Sequence, residues 1–326
     1  MKHHWGARLR AVLLATTCAL ALAACDGKPT SGKAAPPMDA PATPSSTSAT
    51  PTTDPSIDDP VDDDAPEGEV AILDHGDGDR VLLALQLTEG DHATTTMQMT
   101  LTMRAPGVPV PPIPMTMTMS SEVVDVADDV FTVQSVYAGI EIDDAGLPAE
   151  MVDPMRSAMS GLDGMSMTFE YGPTGEVLDT DFDLPDDAPP TTRQMLEQLT
   201  GSMTEIGMAF PDEPIGEGAT WRKVGTTDVS GASMVQTTTY HLDELDGLDY
   251  RVSLETTGTL EAPDAGSIVT FANGSMTNTG RFEGSLTQVL PLKASTHGVT
   301  RMGMEAAGQR IRMTTTIDIE MTTETD

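Results

Sequence analysis

The chain has 326 residues, and 51 Asp and Glu against 17 Lys and Arg leave a formal charge of −34. A surface this acidic repels a phosphate backbone, whose binding depends on clustered Lys and Arg, so nucleic-acid recognition is excluded. With 4% aromatic and 38% hydrophobic residues, a packed interior has to draw on Val, Leu, Ile, Ala and an unusual 22 Met.

Residues 1–24 open with Lys2, Arg8 and Arg10 and continue as an apolar run from Ala11 to Leu22, too short for an ordinary membrane-spanning helix. The run ends Leu22-Ala23-Ala24-Cys25. These four residues, placed directly after an apolar core, resemble the lipobox of bacterial lipoproteins. The resemblance implies that a diacylglycerol is attached to the Cys25 thiol and that cleavage then leaves Cys25 as the first residue. It also implies that acyl chains hold the exported chain to a membrane of the bacterial cell envelope, facing the periplasm. Two or more chains anchor durably where one gives only reversible binding. Asp26, directly after the lipidated cysteine, leans towards the inner membrane. The plainer alternative is an ordinary secretory signal in which Cys25 is a free thiol or is removed. Cys18, the other cysteine, lies in the removed segment, so the exported chain has no disulfide and depends on a sizeable core. Cleavage also removes three basic residues and no acidic one, taking the charge to about −37.

From Cys25 to about residue 68 the chain is Pro, Ala, Ser, Thr and Asp with almost no large apolar side chain. Such a stretch buries too little surface to offset its ordering entropy and is expected to be a disordered tether. The run Asp58-Asp59-Pro60-Val61-Asp62-Asp63-Asp64 repels itself and keeps the tether extended. A calcium loop is the sharper reading of this run and of Asp74-His75-Gly76-Asp77-Gly78-Asp79. Neither has the alternating oxygen ligands and distal Glu of an EF-hand, and solvated charge explains both.

Beyond Gly68 the dominant signal has period two. Met97, Met99, Leu101 and Met103 alternate with Thr96, Gln98, Thr100 and Thr102, which in a strand places the apolar side chains on one face. The same alternation recurs at Met115, Met117 and Met119, at Phe131, Val133 and Tyr137, at Tyr250, Val252 and Leu254, and at Met313, Ile317, Ile319 and Met321. Two segments break it. Asp153-Pro154 reads as a helix N-cap and first residue, followed by Met155, Met159 and Leu162. Thr191 with Gln194 is a capping-box candidate for a longer helix over 192–207, whose stripe is Met195, Leu196, Leu199, Met203 and Ile206.

Internal similarity divides the chain. A glycine turn at Glu89-Gly90-Asp91, a Thr-rich strand at Thr94-Thr95-Thr96 and two strands joined by the acidic turn at Asp128-Asp129 are echoed later. The counterparts are Gly216-Glu217-Gly218, Thr237-Thr238-Thr239 and the turn near Asp246-Gly247. The expected organisation is a signal at 1–24, a tether at 25–68 and a single β-rich domain at 69–326. Two related halves, about 80–186 and 212–326, make up that domain and are joined by the 192–207 helix. The expected fold is mainly β with two short helices. It is an antiparallel meander forming an open half-barrel or sandwich from two similar halves, with the amphipathic helix packed on the apolar face.

The lipobox, tether, Thr/Met-rich strands, the run Met165 to Val177, the helix from Thr192 and the motif Pro214-Ile215-Gly216-Glu217-Gly218-Ala219-Thr220-Trp221 together resemble an uncharacterised family of bacterial lipoproteins. That family offers no catalytic residues to carry over. In architecture alone the chain is also similar to half-barrel lipoproteins of the LolA, LolB and LppX types, which hold acyl chains; fold does not imply function.

No catalytic signature is present: there is no Gly-x-Ser-x-Gly elbow, no His-Glu-x-x-His helix and no P-loop. Gly216-Glu217-Gly218 lacks the third glycine of a dinucleotide fingerprint. His75, His92, His241 and His297 are scattered among turns and polar strand faces, so no enzyme and no cofactor are expected. The methionines stand out. Met97, Met99, Met103, Met115, Met117 and Met119, with Met195, Leu199 and Met203 from the helix, are the candidate lining of a hydrophobic pocket. Pliable thioether side chains suit such a surface. Two alternatives remain: a solid Met-rich core in a structural or protein-interaction module, and Cu(I) held by thioethers. The loop from Arg104 to Pro114, with five prolines, is read either as a docking tip for an envelope protein or membrane, or as a stiff hairpin end folded over the sheet. The expected partners are thus the membrane and a hydrophobic ligand or envelope protein.

Overall fold

The computed structural model of the chain describes residue 68 and residues 70–325, except 107, 145, 150–151, 154, 157–163, 184–208, 230–231, 261–268 and 307–308. The signal, nearly all of the tether and the 192–207 segment with Met195, Leu199 and Met203 lie outside the described residues.

The described strands are β1 (Val70–Asp74), β2 (Asp77–Val81), β3 (His92–Ala105), β4 (Val108–Pro109), β5 (Ile113–Ala127), β6 (Val130–Ile142), β7 (Ser166–Tyr171) and β8 (Val177–Asp183), followed by β9 (Ile215–Glu217), β10 (Thr220–Val229), β11 (Ala232–Asp246), β12 (Asp249–Leu260), β13 (Val269–Ser285), β14 (Lys293–Ala306) and β15 (Gln309–Thr325). Thirteen of them form one sheet in the order β1-β10-β11-β12-β13-β14-β15-β3-β5-β6-β7-β8, with β4 paired to β3 off this path; β2 and β9 pair separately. Every pairing is antiparallel, and β1 and β8 end the path, so the sheet is open. The fold is therefore the mainly antiparallel β, open arrangement that the alternation predicts.

The two halves are recognisable in the hydrogen bonds. Gly90 N–H donates to Val123 O (2.8 Å) and Val123 N–H to Asp91 O (3.0 Å); Gly218 N–H donates to Leu242 O (2.8 Å) and Leu242 N–H to Ala219 O (2.9 Å). Gly90 and Gly218 both have positive φ, which an unbranched backbone tolerates best. Just beyond these clamps each half carries a register shift, between Val123 and Asp125 and between Leu242 and Glu244. Val133 then faces Phe169 as Val252 faces Phe282. The C-terminal strand β15 pairs with β3 as β1 pairs with β10, and this seam fuses the two meanders into one sheet.

Alternation gives the sheet one apolar face. Reading across the registers, Leu242, Val252, Phe282, Ala294, Met321, Met97, Met117 and Ile140 form a single ladder through eight strands. Large side chains of β12 meet glycines on β13: Tyr250 faces Gly284, Leu254 faces Gly280 and Leu260 faces Gly274. A Cβ at Gly284 would lie 2.4 Å from the Tyr250 hydroxyl, so the ring occupies the space a side chain would need. Removing side chains from the inner face lets a sheet bend towards that face.

The short helix differs from expectation. Residues 149, 152–153 and 155–156 are helical, so the helix is already formed before Asp153. Pro148 directly precedes it, and its carbonyl accepts the Val152 N–H at 3.3 Å. Val152 and Met155 bury its apolar side. The Pro-rich loop pairs back on the sheet, Arg104 with Pro109 and Ala105 with Val108.

Candidate functional site

The apolar face surrounds a cavity of about 390 Å³. Its wall includes Tyr240 of β11 and Met167, Phe169 and Tyr171 of β7, which are eight strand spacings apart in the sheet. At about 4.8 Å per spacing that is roughly 38 Å along the sheet, so only a strongly curled sheet brings both walls to one cavity.

Two irregular segments tie the walls together. Leu85 N–H donates to Pro173 O, in the turn after β7, and Gln86 N–H donates to Leu286 O, beyond β13, each at 2.7 Å. Leu83 packs in the cluster of Trp221, Leu242 and Val252, whereas Leu85 and Leu87 pack with Val123, Phe131 and Val133. Phe210 N–H donates to Thr174 O, and its ring meets Tyr250 edge-on at 5.1 Å. Trp221 stacks on Tyr240 at 5.3 Å and donates through Nε1 to Ala209 O.

All four tyrosines of the chain, Tyr137, Tyr171, Tyr240 and Tyr250, line this cavity, with three of its six phenylalanines. In so aromatic-poor a chain this concentration marks one place. Burial raises every tyrosine pKa, that of Tyr240 to about 12, so the phenols stay neutral donors. Among the described residues none of the four hydroxyls meets a hydrogen-bond partner. Other hydroxyls on this face are paired: Ser121 with Ser135 at 2.9 Å and Thr95 with Thr323 at 3.0 Å. Asp91, His92, Glu122 and Gln288 are the polar end of the lining. His92 lies 3.7 Å from Glu122 with about half of each side chain exposed, so this end is where the cavity meets water.

Of the residues singled out in the sequence, Met97, Met117 and Met119 line the cavity. Met99, Met103 and Met115 share the apolar face but pack in another cluster, with Leu101, Ile113 and Met155. The tyrosines carried a readable signal, since each sits at an apolar position of an alternating strand; their convergence depends on the curl.

Chemistry elsewhere is sparse. Each described histidine pairs with a carboxylate: His75 with Glu213, His92 with Glu122, His241 with Asp243 and His297 with Asp318. The Ser253 hydroxyl donates to Asp243 (3.1 Å), which also holds His241 (2.8 Å). The serine thus bonds to the acid and not to the imidazole, unlike an activated nucleophile. The Asp74 carboxylate accepts the Gly76 N–H, closing a turn. Among the described residues no three His, Cys, Asp or Glu side chains gather as metal ligands. No protein-family model matches the chain, and no curated protein matches it.

Proposed function

We propose that this chain is an envelope lipoprotein, anchored through Cys25, whose β domain holds a hydrophobic ligand or lipid within its curled sheet. What carries the reading is the cavity of about 390 Å³, a size within the range of small-molecule sites, with a mostly apolar wall and few polar groups. The lipobox supplies the anchor in this reading, and the tether gives the domain reach from the membrane. An uncharged fluorescent hydrophobe, diphenylhexatriene, tests it: saturable uptake near one per chain supports the reading. No saturable uptake contradicts it.

A second reading, Cu(I) binding, is favoured by the adjacency of Met321, Met97 and Met117 on one ladder, since thioethers select Cu(I). It predicts stoichiometric copper that is lost when Met97, Met117 and Met321 are all replaced by Leu. Copper content unchanged by that replacement overturns it.

A further inference from the structure

Resting on the reading of the cavity as a hydrophobe site, we infer that its ligand is an uncharged amphiphile: one long hydrocarbon chain bearing a hydroxyl or ester head, as in a monoacylglycerol. The charge of the lining decides this. Among the described residues the wall has no Lys or Arg, the groups that ordinarily receive a fatty-acid carboxylate or a lipid phosphate. At the wet end stand Asp91 and Glu122, in a chain that carries −34 overall. An anionic head drawn into this cavity meets two carboxylates and no cation, and loses its hydration without compensation.

A cationic head is disfavoured for a different reason. The two carboxylates stay at the water-facing rim: Asp91 Oδ2 accepts the Thr88 N–H at 2.9 Å, and Glu122, 3.7 Å from His92 Nε2, is about half exposed and keeps its hydration. Away from that end the hydroxyls of Ser121 and Ser135 bond to each other and that of Thr287 to Ser285, which leaves the phenols of Tyr137, Tyr171, Tyr240 and Tyr250, held protonated by burial and lacking partners among the described residues. Tyr240 and Tyr250 are each 6% exposed. A buried phenol donates to an ester or hydroxyl oxygen, whereas a quaternary ammonium, having no N–H, makes no hydrogen bond with it and meets only ring faces. Neutral oxygen acceptors on an apolar chain match this wall best.

Trp221 provides the readout, because it stacks directly behind Tyr240. In the full chain carrying Trp5→Phe it is the only tryptophan. Three probes of equal chain length, each brominated on the chain, are titrated at neutral pH: a monoacylglycerol, the free fatty acid and the alkyl trimethylammonium. The expected result is quenching of Trp221 by the monoacylglycerol at a concentration roughly tenfold or more below that needed by the acid or the cation. Glu122→Gln, at an exposed rim position, is expected to narrow the gap between the acid and the monoacylglycerol by roughly threefold to fivefold, and an unchanged gap counts against the charge argument. Equal or better quenching by the acid or the cation overturns the inference while leaving the cavity as a hydrophobe site. Absence of quenching by all three probes overturns the hydrophobe reading itself.

Discussion

Asp128 and Asp129, at the tip of the β5–β6 hairpin, both have positive φ (49° and 65°), a conformation in which a side chain is strained and glycine is not. The matching turn of the other half is Gly247-Leu248, with Gly247 at φ 65° in the place of Asp128; at the second position, held by Asp129, a turn with two positive φ values favours glycine. Asp129→Gly is therefore expected to stabilise the protein by about 1 kcal/mol, read as a higher urea midpoint at unchanged slope. The tyrosines make a prediction of opposite sense. Their pKa values are raised in the folded state, so between pH 10 and about 12 the unfolded chain loses phenolic protons that the folded chain keeps. Stability is complete below pH 10 and falls above it, by up to about 1.4 kcal/mol per pH unit for each buried phenol. Urea midpoints at pH 8, 10 and 11 check this, and a flat profile through pH 11 contradicts it.

At the scale of elements, the β15–β3 seam joins what would otherwise be two separate meanders. On its inner face the Thr323 hydroxyl donates to Pro291 O at 2.8 Å and accepts from Thr95. Thr323→Val strands the buried Thr95 hydroxyl and the half-buried Pro291 carbonyl and is expected to cost about 1–2 kcal/mol; Thr95→Val costs less, because Thr323 keeps its carbonyl. A double-mutant cycle on unfolding free energies measures the difference. Much of this level was legible in the sequence. The alternation at Met97–Met103 and Met115–Met119 announced β3 and β5, and the repeated glycine turns announced two similar halves. Leu83, Leu85 and Leu87 look like a further strand by the same rule. Their backbone instead bonds to Pro173 and Leu286, in turns distant in sequence, which no local pattern reveals.

Across the described residues, an acidic, Thr-rich outer face is combined with a curled inner face around the tyrosine-lined cavity. An open half-barrel was one of the two expected forms, but the residues that bend the sheet were hidden because they act through long-range register: Gly274, Gly280 and Gly284 matter only once they face Leu260, Leu254 and Tyr250. For the anchor, Cys25→Ser is expected to release the chain from the membrane fraction, and retention there contradicts the lipobox reading. The central claim is that the cavity carries a hydrophobic ligand. Native mass spectrometry of the protein drawn from its own membranes tests it most directly. The expected spectrum shows one lipid-sized mass per chain that is reduced in Met97→Trp, which narrows the cavity of about 390 Å³, while the variant stays folded. A ligand-free mass throughout, with no uptake from added neutral lipid, would contradict it.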